Sequence, residues 1–214
     1  MTVISHHIPT PFIRAYAAGS LSHGYSMVVA AHVSQCDECR ARLEAEEIAG
    51  GAVLDAISPE MPQDGTDPLR EQVLSSLDAP PPQDIARPRS GIFPGPVMQA
   101  LGGRAPKWRP LGGGIRQSIL HADASGTARL LQIPPGEAVP DHGHKGVEMT
   151  LVLQGSFSDE TGHFGVGDVE IADEELDHTP VAGTGLPCIC LAATDAPLRF
   201  HSFLPRLLQP IFRI

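Results

Sequence analysis

The stretch that most constrains this chain runs from Gly136 to Gly155 and reads GEAVPDHGHKGVEMTLVLQG. His142 and His144 stand two apart, so on an extended backbone both imidazoles project from one face. Lys145-Gly146 makes a turn, and Glu148 opens the next strand, where an inward carboxylate completes a facial set of donors. A fourth donor must come from a strand folded back alongside, and His178, eleven residues after Gly167, is placed for it. Three imidazoles and a carboxylate suit zinc, iron, manganese or nickel, so ligand type alone does not choose the metal. The pattern works only on paired strands, and it commits this part of the chain to β structure.

The flanking sequence agrees. Residues 127–133, 147–157, 166–172, 188–193 and 198–204 are short segments of strand propensity separated by Gly, Pro and Asp turns, as in an all-β barrel or sandwich. Cys188 and Cys190 lie two apart on one of these strands and share a face, a spacing that fits disulfide geometry poorly. They read as two small buried hydrophobes, with a redox-sensitive pair near the metal as the functional alternative. Met149 is a further oxidisable side chain in this region.

Upstream the texture is helical. Thr10-Pro11 offers a helix start and Gly19 a stop; residues 22–33 form a second helix. Residues 39–48 form a third, closed by Gly50-Gly51, and Asp67-Pro68 starts a fourth with Leu69, Val73, Leu74 and Leu77 on one stripe. The expected organisation is therefore α+β in separate domains: a small all-α bundle over residues 1–80, a Pro/Gly-rich linker over 81–97, and an all-β domain over 98–214.

The helical half carries its own donor set. His32 and Cys36 stand four apart, one turn on a single helix face, and Cys39 follows after two residues. Both sulfurs can reach one ion across a helix break, as in tetrahedral zinc sites. A closed site needs a fourth ligand, for which His7 and His6 are the candidates and His23 the weaker one. A CxxC of thioredoxin type belongs after a strand, and none precedes this one. A small helical unit has little core, so a structural zinc worth on the order of 10 kcal/mol helps it fold.

The formal net charge of −10 excludes nonspecific nucleic-acid binding, which needs a basic field, and suits a basic protein partner. No apolar run approaches the roughly 20 residues of a transmembrane helix, and the N-terminus lacks the succession of a secretory signal. Both point to a cytoplasmic address.

The Gly136–Gly155 block resembles the first cupin motif at every position, Gly, five residues, HxH, three, Glu, six, Gly. The second motif keeps its distance from Gly167 to His178, but Asp173 and Glu175 replace the family's Pro and Gly, and Ala182 stands where Asn is usual. The resemblance implies a C-terminal cupin barrel with metal at His142, His144, Glu148 and His178. The H-x3-C-x2-C block between short helices resembles the zinc-binding anti-sigma domain. Together, HHIPTPFIRAYAAGSLS, VVAAHVSQCDECRAR, VPDHGHKGVEMTLVLQG and ATDAPLRFHSFLP make the whole chain resemble the ChrR-type zinc-binding anti-sigma factors. That resemblance places the family's N-terminal zinc histidine on His7, beside His32, Cys36 and Cys39. It implies zinc at two sites and a 1:1 complex in which the helical half holds an extracytoplasmic-function sigma factor away from core RNA polymerase. It also implies a cupin half that ends the inhibition under singlet oxygen or related oxidative stress, and a regulator that is not an enzyme. The competing reading is a metal-dependent cupin dioxygenase with a helical accessory domain.

Overall fold

The computed structural model describes residues 3–58, 68–77, 88–197 and 199–200. Helix α1 (Thr10–Ala17) starts behind Pro9 with Pro11 in its first turn, where a missing N–H leaves no bond unmade. It ends at Gly19, whose φ of +65° lets the Gly19 N–H donate to Tyr16 O at 3.0 Å and the Ser20 N–H to Ala15 O at 2.9 Å. Helix α2 (His23–Val33) buries Tyr25, Met27, Val28, Val29, Ala31 and His32, so it is enclosed on most sides. A Cβ at Gly24 would meet the Thr127 carbonyl oxygen at 3.2 Å, which shows how closely this helix lies on the strands beneath.

Helix α3 (Asp37–Ala56) does not stop at Gly50-Gly51. A glycine in an exposed helix costs about 1 kcal/mol. The helix formers on either side, Ala45, Glu46 and Glu47 before and Ala52, Leu54 and Ala56 after, outweigh that cost. Arg14 donates to both Glu46 carboxylate oxygens, at 3.0 and 3.1 Å, and ties α1 to α3. Helix α4 (Pro68–Ser76) forms after Asp67-Pro68 as the sequence predicts, with no buried side chain.

Of the expected linker, residues 81–87 lie outside those described, but the remainder is not a linker. Ser90 and Phe93 form a β-bridge, and helix α5 (Gly95–Ala100) begins within the segment and buries Val97. Pro94 and Pro96 take the N-cap and first-turn positions of this helix. In the N-cap and first-turn positions proline starts a helix, although it breaks one elsewhere.

Twelve strands follow among the described residues. A six-stranded sheet is built from β1 (Arg109–Gly112), β2 (Ile115–Asp123), β3 (Gly126–Ile133), β5 (Glu148–Gln154), β8 (Val169–Ala172) and β11 (Cys188–Thr194), in the order β1-β2-β3-β11-β5-β8. A three-stranded sheet joins β10 (Val181–Ala182), β6 (Phe157–Ser158) and β7 (His163–Phe164). A second joins β12 (Arg199–Phe200), β4 (His142–Gly143) and β9 (Asp177–His178). Strands β1, β2, β7 and β10 fall outside the expected strand segments; of the strand expected at 198–204, only β12 lies within the described residues.

Period-two alternation divides the core. Leu130, Met149, Leu151, Leu153, Ile189 and Leu191 join Ile8, Ile13, Val28 and Val29 of the helical half in one apolar cluster. The alternate residues Ile133, Val152, Cys188 and Cys190 pack instead with Phe157, Phe164 and Ala182 of the smaller sheet. Helices and strands are segregated along the chain, and the two halves share a core across the outer sheet face.

Candidate metal centres

In the helical half, three pieces of chain converge. His7 comes from the extended segment before α1, His32 from the last turn of α2, Cys36 caps α3 and Cys39 sits in its first turn. One donor atom from each lies within 4.8 Å of the others. His7 Nδ1 is 3.3 Å from Cys36 Sγ and 3.6 Å from Cys39 Sγ. The Cys39 N–H donates to Cys36 Sγ at 3.4 Å, and Arg42 donates to Cys39 Sγ at 3.7 Å.

His32 gives the test of fit. It is fully buried, its Nδ1 is 2.9 Å from the Gly167 carbonyl oxygen, and its Nε2 is buried without a hydrogen-bond partner among the described residues. Burial pushes its pKa down to about 4, so at neutral pH Nδ1–H donates and Nε2 offers a lone pair. Burial, and Cys36 alongside, push the Cys39 thiol up, so a thiolate pair calls for a cation between them. This donor set suits zinc. His6 is turned away: its ring packs on Phe164 at 4.5 Å and lies 3.6 Å from Asp168. His23 pairs with His121 instead.

In the strand half, His142 on β4 sits opposite His178 on β9 in the ladder register, and His144 follows two residues on. His178 Nε2 is 3.3 Å from Nε2 of both His142 and His144, and all three rings are buried. Burial pushes His142 and His144 down, which keeps lone pairs available for a metal. Glu148 stands at the edge of this group: its Oε2 is 3.9 Å from His144 Nδ1, and its Oε1 accepts from the Thr150 hydroxyl at 3.0 Å. The three histidines are brought together, with the fourth expected ligand beside them.

Two carboxylates behind His178 escaped the sequence reading. Asp159 Oδ2 lies 2.6 Å from His178 Nδ1, and Glu170 Oε1 lies 3.5 Å from it. Asp159 is itself fixed by the Thr161 N–H and hydroxyl, at 2.8 and 2.7 Å. Burial would lower the His178 pKa, but bonding to Glu170 and Asp159 overcomes it and raises it to about 9. Burial pushes the Glu170 carboxyl up to about 7. Carboxylates that receive the Nδ1–H of a histidine leave its Nε2 basic and aimed at a metal. The one trace of this in the sequence is Glu170 at an inward position of the apolar strand VEIA.

Cys188 and Cys190 are free, buried thiols 3.4 Å apart at sulfur. The bond to Cys188, then burial, push the Cys190 thiol up. They pack with Val152, Phe157 and Phe164 as small apolar side chains. Met149 lies on the opposite sheet face, in the cluster shared with the helices, and does not face the histidines.

Comparison with known proteins adds three findings. Residues 101–196 match the family model described as the ChrR cupin-like domain. Over 214 residues the chain is 53% identical to the anti-sigma-E factor ChrR of Cereibacter sphaeroides, covering 99% of both chains. It also superposes, with a TM-score of 0.78 and 50% identity, on a chain of the crystal structure of Rhodobacter sphaeroides SigE in complex with the anti-sigma ChrR, covering 90% of this chain and 100% of that one.

Proposed function

The chain belongs to the ChrR family of anti-sigma factors, and on that premise we propose that it sequesters an extracytoplasmic-function sigma factor in a 1:1 complex and releases it under singlet oxygen or related oxidative stress. Its full-length relative is an anti-sigma factor, and this chain is accordingly a regulator and not an enzyme. Zinc at His7, His32, Cys36 and Cys39 pins the N-terminal segment, α2 and α3 into one unit. A metal at His142, His144, Glu148 and His178, with zinc as the reading, forms the sensing end. No helix among the described residues is long and apolar enough to cross a membrane, and the proposed setting is the cytoplasm, where sigma factors act.

The observation that carries the proposal is the apolar surface the helical half leaves uncovered. Ile48, Val53, Leu54 and Ile57 on α3 and just beyond it are 63–74% exposed, and Leu69, Val73, Leu74 and Leu77 on and after α4 are 46–72% exposed. Apolar residues at helical spacing on a solvent-facing side suit docking onto another protein. Singlet oxygen attacks imidazole and sulfur, so a buried three-histidine cluster is chemically apt as its target.

The deciding experiment is co-purification of the full chain with its sigma factor, with metal content measured on the same sample. A 1:1 complex is the expected result. His142→Ala and His178→Ala should retain that complex but hold it under singlet oxygen; loss of sigma binding in these variants would refute the division of labour.

A further inference from the structure

The turn between β7 and β8 belongs to the cupin half, yet it touches the helical-half cluster at two points. Asp168 Oδ1 accepts the backbone N–H groups of Ser5 and His6, at 2.7 and 2.8 Å, and Val169 N–H donates to His6 O at 3.1 Å. These bonds fasten the extended segment that carries His7. One residue earlier, the Gly167 carbonyl oxygen receives His32 Nδ1 at 2.9 Å across a sequence separation of 135. Gly167 has φ +94°, and a Cβ there would meet the Ile4 side chain at 2.6 Å, so the strap lies directly against the turn.

We propose that Asp168 and Gly167 are positioning residues of the helical-half metal centre, so that this centre holds its ion tightly only while the cupin turn is docked on residues 4–7. The inference rests on the reading of His7, His32, Cys36 and Cys39 as metal ligands. An accepting carbonyl on Nδ1 fixes the tautomer and ring plane of His32, as an outer partner does for metal-bound histidine. The Asp168 carboxylate does the same work for His7 through the backbone, removing in advance the freedom an unanchored segment would lose on binding. Glu170, two residues on in β8, reaches His178 of the cupin cluster. One short piece of chain therefore contacts both clusters.

The test uses the full chain loaded with cobalt(II). Thiolate-to-cobalt charge-transfer absorption reports the Cys36/Cys39 centre alone, because the cupin cluster has no sulfur donor. Titration with a competing chelator should show Asp168→Ala losing cobalt from this centre at about 10- to 100-fold lower chelator activity, with cupin-bound cobalt unaffected. Asp168→Asn keeps one accepting oxygen for the Ser5 and His6 N–H groups and should recover much of the loss. Ser5→Pro removes one N–H from the strap without altering the cupin, so it reports even where an Asp168 variant fails to fold, and it should shift retention in the same direction by less. Retention equal to the unaltered chain in Asp168→Ala and Ser5→Pro overturns the proposal, as does an equal loss at both centres in Ser5→Pro. Absence of the thiolate band in the unaltered chain instead removes the metal reading on which it stands.

Discussion

His32 and His178 show how one residue type is set to opposite protonation tendencies by its surroundings. His32 is buried against a carbonyl, and burial carries its pKa down to about 4. The unfolded chain then binds a proton below about 6.5 that the folded chain refuses until about 4, so unfolding takes up protons in that window. The His32 contribution to stability should be complete above pH 6.5 and fall by roughly 3 kcal/mol on acidification to pH 4, with metal release acting in the same direction. Denaturant midpoints between pH 7 and pH 4 check this; a flat profile would count against the buried neutral imidazole. His178 instead has Asp159 at 2.6 Å. Asp159→Ala should weaken metal retention at the cupin centre by about 10- to 100-fold and leave the cysteine centre unchanged, as read by metal content after graded chelation.

At the scale of elements, α3 departs most from its expectation. It begins at Asp37, before the expected start at Cys39, because the break is where Cys36 turns to share its sulfur with the Cys39 N–H. Its end was not legible: glycine propensity is a weak prior, and neighbouring Ala and Leu overrode it. The extension adds Val53 and Leu54 to the exposed apolar face that α4 continues in kind. Leu54→Asp and Val73→Asp should each weaken sigma binding at least tenfold in a direct titration. Thermal stability should stay within about 0.5 kcal/mol, because exposed positions contribute little to folding. A large loss of stability with unchanged affinity would place these faces in the fold and not at the partner.

Across the whole molecule, the helical and strand halves are joined by packing of α2 on β3, β5 and β11, with Gly24 lying close against Thr127 and Ala193. Tyr25 adds a hydrogen bond from its hydroxyl to the Val147 carbonyl oxygen at 2.7 Å. A shared apolar cluster of this kind makes the two halves lose stability together. Thermal unfolding followed by the cobalt–thiolate band, which reports the helices, and by near-ultraviolet dichroism of Trp108 beside the core should give coincident transitions. Separated transitions would show that the halves unfold as independent units.

The part of each donor set that is legible in the sequence is the part whose spacing is local. Residues two apart share a strand face, residues four apart share a helix face, and His142/His144 and His32/Cys36 follow from those periods alone. The alternation of β11 likewise places Cys188 and Cys190 on one face, but which face is inward depends on what covers the sheet. The choice of His7 over His6, the carboxylates behind His178, the helix inside the expected linker and the bond from His32 to Gly167 all join segments distant in sequence. No periodicity carries such pairings, since they are fixed only when the strands have paired and α2 has come down on them.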